Sequence, residues 1–311
     1  MIRFIELFAG IGGFRKAIEP LGGKCVFACE IDRPARKTYE ANFWGPDPYL
    51  FGHDVRVFSG RPDLIRAHDL LTAGFPCQPF SRGGTRQALG DDRGMLFFDI
   101  VKILSHHRPR AFLLENVPHL QNIEDGKVMA LFCDTLRQEL GYQLTVEAMN
   151  SYPFVPQKRK RLFFVGFRDP NGFTFGDIEV PDQTPTFGQI RDRDAPASYT
   201  LIEKHWRRAS DRKGNRRNGF GYHIVDDDGI APTLVASNDY WDMHPIFVDQ
   251  PGKNPRELTP RECSRLMGFD SFQGSEYRIV YAKSSSYKMF GNAVVVPQVR
   301  AIVKAMMAYM K

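Results

Sequence analysis

The chain has 311 residues, enough for one large domain with a substantial core or for a large domain carrying a smaller insert. Hydrophobic residues make up 42% and charged residues 25%, which excludes a disordered chain, and no apolar run is long enough to span a bilayer as a helix. A formal net charge of +6 with a pI near 9.0 suits a polyanionic partner where the charge clusters, and an odd number of cysteines, five, argues against a disulfide framework.

The amino-terminal run MIRFIELFAGIGGF is apolar but breaks at Gly10, Gly12 and Gly13 and has no small-residue cleavage pattern. It reads as a first strand, Ile2 to Phe8, rather than a signal peptide, so the protein is expected in the cytoplasm. Further strands are predicted at Lys24 to Cys29, Leu70 to Ala73, Ala111 to Glu115 and Leu162 to Phe167. Helices are predicted at Phe14 to Glu19, Arg33 to Asn42, Leu96 to Ser105 and Lys127 to Leu140. This βαβ rhythm predicts an α/β fold with a doubly wound, mostly parallel sheet. Cys25 and Cys29 have no second Cys/His pair at zinc spacing, so they read as buried strand thiols and no metal site is expected. From about Arg168 the rhythm is lost, and the stretch to about Arg256 is rich in Asp, Pro, Gly, Arg and aromatics with only short strand-like runs. A final helix, Val299 to Met310, restores the amphipathic pattern. The expected division is therefore 1–167 as the main domain, 168–255 as a smaller irregular one, and 256–311 returning to the first.

A strand running into a helix through Phe8-Ala9-Gly10-Ile11-Gly12-Gly13 brings backbone amides close to a bound cofactor, where a Cβ would collide. Taken alone, such a turn also serves purely structural ends, and dinucleotide sites share its logic. Glu30 ends the second strand, where a carboxylate can take both hydroxyls of a ribose, and Asp54 follows at the next strand position; each acid alone is more often a loop cap. Directly after the strand Leu70-Leu71-Thr72-Ala73 comes Gly74-Phe75-Pro76-Cys77-Gln78-Pro79-Phe80-Ser81. A cysteine between prolines at a strand's carboxyl end stands on stiff backbone at the ligand-facing edge of the sheet, the place for a nucleophile.

These segments resemble the C5-cytosine-specific DNA methyltransferases, whose nucleophile loop reads Pro-Cys-Gln-x-Phe-Ser. The likeness continues in order through FAGIGG, Glu30, Asp54, DDRGMLFFDIVKIL, Glu115-Asn116-Val117, Gln157-Lys158-Arg159-Lys160-Arg161, RELTPRECSRLMGF and Phe290-Gly291-Asn292-Ala293-Val294. Together they cover nearly all of the chain outside 168–255. The resemblance implies a Rossmann-like domain binding S-adenosyl-L-methionine, with Cys77 as the thiolate that adds to carbon 6 of cytosine. It implies Glu115 as the group that shares a proton at N3, although a strand-end ion pair is an equal reading of the residue by itself. Arg159 and Arg161, two apart on a strand-like segment, face one way and would bind O2 of the base and nearby phosphates, with Gln157 supporting the loop; the bare KRKR run also reads as a solvated face. Phe8, Ala9, Gly10, Gly12, Gly13, Pro76, Leu96, Asn292 and Val294 would line the cofactor pocket, Leu96 and Val294 serving equally as core. Arg261 and Glu262 fall in the family's hinge block and read as structural.

By the same resemblance, 168–255 is the target-recognition domain acting on double-stranded DNA, since a base must leave the helix to react. Arg207, Arg208, Arg212, Arg216, Arg217, Asn218 and Tyr222 join a basic cluster to glycines and aromatics, and arginine reads guanine or holds phosphate. Thr233-Leu234 resembles the family's anchor for a second recognition loop, in which Ser237 and Asn238 fall, and Gln78 and Ser81 of the nucleophile loop also face DNA. The run KGNRRNGFGY resembles bacterial members acting within CC…GG sites, so a compact prokaryotic or phage modification enzyme is expected. It would act as a monomer among nucleoid DNA, and a cognate restriction endonuclease is compatible with it. A tRNA cytosine-5 methyltransferase would use the same chemistry. A non-catalytic binding module would not need Cys77, Glu115 and Arg159, and a nucleotide-dependent oxidoreductase leaves PCQPFS unexplained.

Overall fold

In the computed structural model the described residues are 1–43, 45, 51–76, 95–213, 222–236 and 245–310, with side chains described throughout except at 95 and 211–213. The chain runs β1 (Arg3–Leu7), α1 (Gly13–Ile18), β2 (Lys24–Cys29), α2 (Arg33–Phe43), β3 (Phe51–Gly52), α3 (Val55–Gly60), β4 (Leu70–Gly74), α4 (Met95–His107), β5 (Ala111–Asn116), α5 (Lys127–Asp134), β6 (Gln143–Asn150) and β7 (Lys160–Phe167). It continues with α6 (Phe187–Ile190), α7 (Glu203–Lys213), β8 (His223–Val225), β9 (Ile246–Val248), β10 (Arg256–Glu257), α8 (Pro260–Leu266), α9 (Lys283–Asn292) and α10 (Val296–Met307).

The main sheet has strand order β3-β2-β1-β4-β5-β7-β6. β3, β2, β1, β4 and β5 run parallel, whereas β7 is antiparallel to both β5 and β6. Strand order reverses between β1 and β4, and a crevice opens at the carboxyl ends of the strands at such a point. Because β7 is antiparallel, its first residues lie beside the end of β5, with Leu162 opposite Asn116. The ends of β1, β4 and β5 and the start of β7 thus share one edge. A second sheet of three strands, β10-β9-β8, lies in the later part of the chain.

Side-chain alternation along the strands separates two cores, one on each face. Phe4, Leu70, Leu113, Phe163 and Val165 face α1, α2 and α10, while Ile5, Leu71, Phe112, Leu114 and Phe164 face α4 and α5. The near-continuous apolar runs of β4 and β5 are what burial on both faces requires.

The predicted strands and the first-half helices are all present, shifted by one or two residues at most ends, and the expected doubly wound, mostly parallel α/β fold is observed. The predicted helix Lys127 to Leu140 changes at Asp134 into a π-helical turn, Thr135–Glu139. β6 was not anticipated, because it pairs only with β7, stands at the sheet edge and is mostly half-buried. The expectation of only short strand-like runs between Arg168 and Arg256 is corrected by α7, an eleven-residue helix; EKHWRRASDRK offers little apolar periodicity to read. Phe173, Phe175, Ile178, Phe187, Ile190, Leu234 and Val248 join the same buried cluster as Phe4 and Val299, so this region shares a core with the main sheet.

Candidate active site

The first wall of the crevice is the loop after β1. Phe8 has φ 53°, Gly10 φ 54° and Gly12 φ 86°, a run of left-handed backbone that turns the chain sharply into α1. For a phenylalanine this conformation is strained, which marks the loop as held in place by its surroundings. Ala9 N–H donates to Cys29 O (2.9 Å) and Gly12 N–H to Ala9 O (2.8 Å). A Cβ on Gly10 would meet open space, whereas on Gly12 it would lie 2.3 Å from the Phe43 ring and on Gly13 2.6 Å from Val294 Cγ2. Left-handed backbone thus calls for glycine at Gly10 and Gly12, and packing against protein leaves no room for a Cβ at Gly12 and Gly13.

Glu30 stands at the end of β2 beside this loop, its Oε2 accepting Gly10 N–H (2.8 Å) and its Oε1 accepting Asp32 N–H (2.7 Å). Burial pushes its carboxyl above the ordinary range against these two donors. Asp54 lies at the neighbouring strand position, reached through the bond from Glu30 N–H to Gly52 O. Its carboxylate caps α3 through Arg56 N–H (3.0 Å) and pairs with the Arg56 guanidinium (2.8 Å), which holds it below the usual carboxylate range. Val294 is buried, with its methyls against Gly13 and Gly74, and Leu96 is half-buried on α4. Asn292 ends α9 and is exposed.

The second wall is the end of β4. Phe75 is buried, its carbonyl accepting Asn116 Nδ2–H (3.2 Å), and Pro76 is exposed at the edge. Glu115 pairs with Gly74 across the β4–β5 ladder, and its Oε2 lies 3.4 Å from the place a Gly74 Cβ would occupy. Glu115 is thus held beside a residue three positions before Cys77. Its Oε1 accepts Arg161 Nε–H at 3.0 Å, and both side chains are more than four-fifths buried. Burial raises the Glu115 carboxyl, against the lowering effect of Arg161 and then Arg159.

Arg159 and Arg161 lie on the same face of the sheet as Glu115 but serve different contacts. Arg159 is 2% exposed, and its guanidinium donates to Leu234 O (2.8 Å), Gly291 O (2.8 Å) and Ala293 O (2.9 Å). Gln157 is fully buried, donating to Leu266 O and accepting Leu234 N–H (2.8 Å), a support for the segment as expected. Thr233 Oγ1–H donates to Lys158 O (2.7 Å). Arg207 pairs with Glu203 along α7, Arg208 lies on the same helix, and Tyr222 packs edge-on against Trp206. The side chain of Arg212, together with Cys77, Gln78, Ser81, Arg216, Arg217, Asn218, Ser237 and Asn238, lies outside the described residues. Glu262 is buried and receives Arg256 (2.6 Å) and Asp192 N–H (2.9 Å), tying the start of α8 to the irregular region.

Three contributors have no role in the sequence reading, although Asn116 stands within one of its blocks. Tyr277 OH donates to Ile11 O in the glycine loop, Lys288 Nζ pairs with Asp32 Oδ2 (2.6 Å) just after Glu30, and Asn116 holds the Phe75 carbonyl. All join segments far apart in the chain, so only ENV, within a recognised block, carried a signal.

A glycine loop at the switch point, the carboxyl end of β4 beside it and a buried carboxylate on the next strand place a candidate site at the crevice of a Rossmann-like α/β fold. Residues 2–308 match the family described as C-5 cytosine-specific DNA methylase, so the chain belongs to that family and is a DNA (cytosine-5-)-methyltransferase. It is 40% identical to the Type II methyltransferase M.DsaV of Dactylococcopsis salina over 99% of this chain and 86% of that protein. It is 40% identical to M.HpaII of Haemophilus parainfluenzae (96% and 87%) and 33% identical to M.HhaI of Haemophilus parahaemolyticus (95% and 91%). In fold it resembles the S. pombe Dnmt2 methyltransferase, with a TM-score of 0.80 at 20% identity over 100% of both chains. The Entamoeba histolytica methyltransferase EhMeth gives 0.76 at 18% over 100% and 99%. Among the described residues no helix is long and apolar enough to cross a membrane.

Proposed function

We propose that the chain is the modification enzyme of a type II restriction-modification system, methylating one cytosine within a short duplex site, with Cys77 as nucleophile and S-adenosyl-L-methionine as donor. The observation that carries the reading is the placement of Glu115, buried, braced by Arg161 and opposite Gly74, which precedes Cys77 by three residues. The residues fit a nucleoside cofactor: the space over Gly10 is open, Glu30 stands beside it with a carboxylate suited to a ribose, and Val294 closes the floor. When bound, that cofactor supplies an electrophilic methyl group.

The chain's own residues would prepare the base. A cytosine turned out of the helix would meet the Cys77 thiolate at carbon 6, and the electrons pushed into the ring need a proton at N3. Burial raises the Glu115 carboxyl above its ordinary range, against the pull of Arg161 and Arg159, which favours a proton at that position. Arg161 fixes the carboxyl's orientation through Oε1, leaving Oε2 on the side of Gly74. Carbon 5 then becomes nucleophilic as an enamine and can take a methyl group; after that, loss of the carbon 5 proton to a base, departure of the thiolate from carbon 6 and return of the N3 proton would restore the aromatic ring.

The recognition site is read, on this proposal, from 168–255, and KGNRRNGFGY favours a CC…GG-type sequence. Bisulfite sequencing of plasmid from cells expressing the chain tests site and function together and is expected to show one short motif methylated throughout. Cys77→Ser should retain DNA and S-adenosylhomocysteine binding while losing nearly all tritium transfer, because an alcohol is a far weaker nucleophile than a thiolate at neutral pH. Full transfer by that variant would sink the mechanism.

A further inference from the structure

Arg159 carries a charge into a site where burial opposes it, yet among the described residues no carboxylate meets it at contact distance; its guanidinium donates to three backbone carbonyls. Those carbonyls belong to two segments remote from Arg159. Leu234 precedes by three residues the stretch 237–244, and Gly291 and Ala293 flank Asn292 at the end of α9. Independently of Arg159, the two segments touch through backbone: a Cβ on Gly291 would lie 2.4 Å from Ala236 N and from Val235 C. Beyond Ala293 comes Val294, whose methyls rest against Gly13 of the glycine loop and Gly74 of the nucleophile strand. On the other side, Gln157 and Lys158 bind Leu234 N–H and the Thr233 hydroxyl, so the 233–236 segment is held from both ends of the turn before β7.

We propose that Arg159 is a positioning residue which, with Gly291, locks the 233–236 segment to the 291–294 segment. Duplex DNA on the target region and the nucleoside cofactor on the glycine loop thereby strengthen each other's binding. The inference rests on the cofactor reading above. A guanidinium suits the task because its planar fork donates to several carbonyls at fixed angles, whereas the lysine ammonium is a compact point charge on a flexible stem. The carbonyls occupy both terminal nitrogens, and Nε is buried with no hydrogen-bond partner among the described residues, so the side chain acts as a strut between backbone segments instead of reaching for the flipped base. Coupling between the two sites must be reciprocal, because it is one free energy shared by both ligands.

The test measures the dissociation constant of S-adenosylhomocysteine for the full chain with and without a saturating short unmethylated duplex, centred on the sequence found methylated in cells. In the wild type the duplex should tighten binding about 5-fold or more, and S-adenosylhomocysteine should tighten duplex binding by the same factor. Arg159→Lys and Gly291→Ala should bring both ratios near one while leaving each ligand's affinity alone little changed. Thr233→Val, which removes only the exposed bond to Lys158 O, keeps the fold and should give an intermediate ratio. A wild-type ratio of one, or a wild-type ratio retained in Thr233→Val and in whichever other variants fold, overturns the proposal. So does a loss of duplex affinity in Arg159→Lys with the ratio unchanged, since that is the signature of direct contact with DNA. If S-adenosylhomocysteine binds under neither condition, the cofactor reading fails and this inference with it, an outcome distinct from tight binding without coupling.

Discussion

Strand β1 carries two charged side chains, Arg3, which is exposed, and Glu6, which is fully buried. Its carboxylate accepts Phe14 N–H (3.0 Å) at the start of α1 and Tyr39 O–H (3.3 Å) from α2, with Arg15 and Cys25 nearby. Burial outweighs those donors and pushes the carboxyl from 4.5 up to about 8. Between these values the folded chain holds a proton that the unfolded chain has released, so the stability this group contributes is complete below about 4.5 and lost as pH rises through about 8. Glu6→Gln removes the titration while keeping an acceptor for Phe14 N–H. Urea midpoints across this range should therefore move in favour of the glutamine variant as pH rises, by on the order of a few kcal/mol in all. A gap between the two proteins that does not change with pH would show that Glu6 ionises as an ordinary surface carboxylate. The strained Phe8 and the left-handed Gly10 lie a few residues along, so the same carboxylate, through Phe14 N–H, helps hold the far end of the glycine loop.

At the scale of elements, the start of α8 shows how a short sequence encodes both a helix end and a junction. Thr259-Pro260-Arg261-Glu262 places a capping threonine, a proline in the first turn and a reciprocating glutamate, and both capping bonds form. The same Glu262 receives the Arg256 guanidinium from β10 and the Asp192 amide, and both ionic partners are almost wholly buried. Removing one member leaves the other charged and unpaired in a dry site. Arg256→Ala is therefore expected to destabilise the fold by about 3–5 kcal/mol, read as a lowered urea midpoint with an unchanged slope. A cost within the range of surface substitutions would mean that water reaches Glu262 in solution. The capping pattern is readable from the sequence; that its glutamate also anchors β10 and Asp192 is not, because those partners come from different stretches of chain.

Across the whole molecule, the irregular region and the main sheet share one buried cluster, yet the groups assigned to DNA and to the cofactor lie in different stretches of chain. If Arg216 and Arg217 read or hold the target, replacing both with alanine should leave S-adenosylhomocysteine affinity in the absence of DNA unchanged. Loss of a phosphate contact would weaken DNA binding uniformly and flatten its salt dependence, whereas loss of a guanine contact would cost roughly 1–3 kcal/mol at one position and relax the site there. Wild-type affinity, salt slope and site in the double variant would reduce the cluster to a solvated face.

The sequence by itself determined the family and the order of the first-half strands and helices, because each rests on local information. Apolar runs mark strands buried on both faces, glycines mark a left-handed turn, and PCQPFS and ENV carry their chemistry within a few residues. Gln157 reads as a support for its loop from such a block alone, and its buried side chain holds Leu234 N–H and Leu266 O. The tertiary structure decided which partners those residues meet. It set Glu115 opposite Gly74 through the register of β4 and β5, and gave Arg159 three carbonyls from segments 75 to 134 residues away. It also brought Tyr277 to the glycine loop, and built β6 and α7 from stretches with little periodicity of their own. The physical reason is common to all four: a strand's register, a strut between remote carbonyls and a half-exposed element are set by what packs against them, and no local window of the chain contains that neighbour.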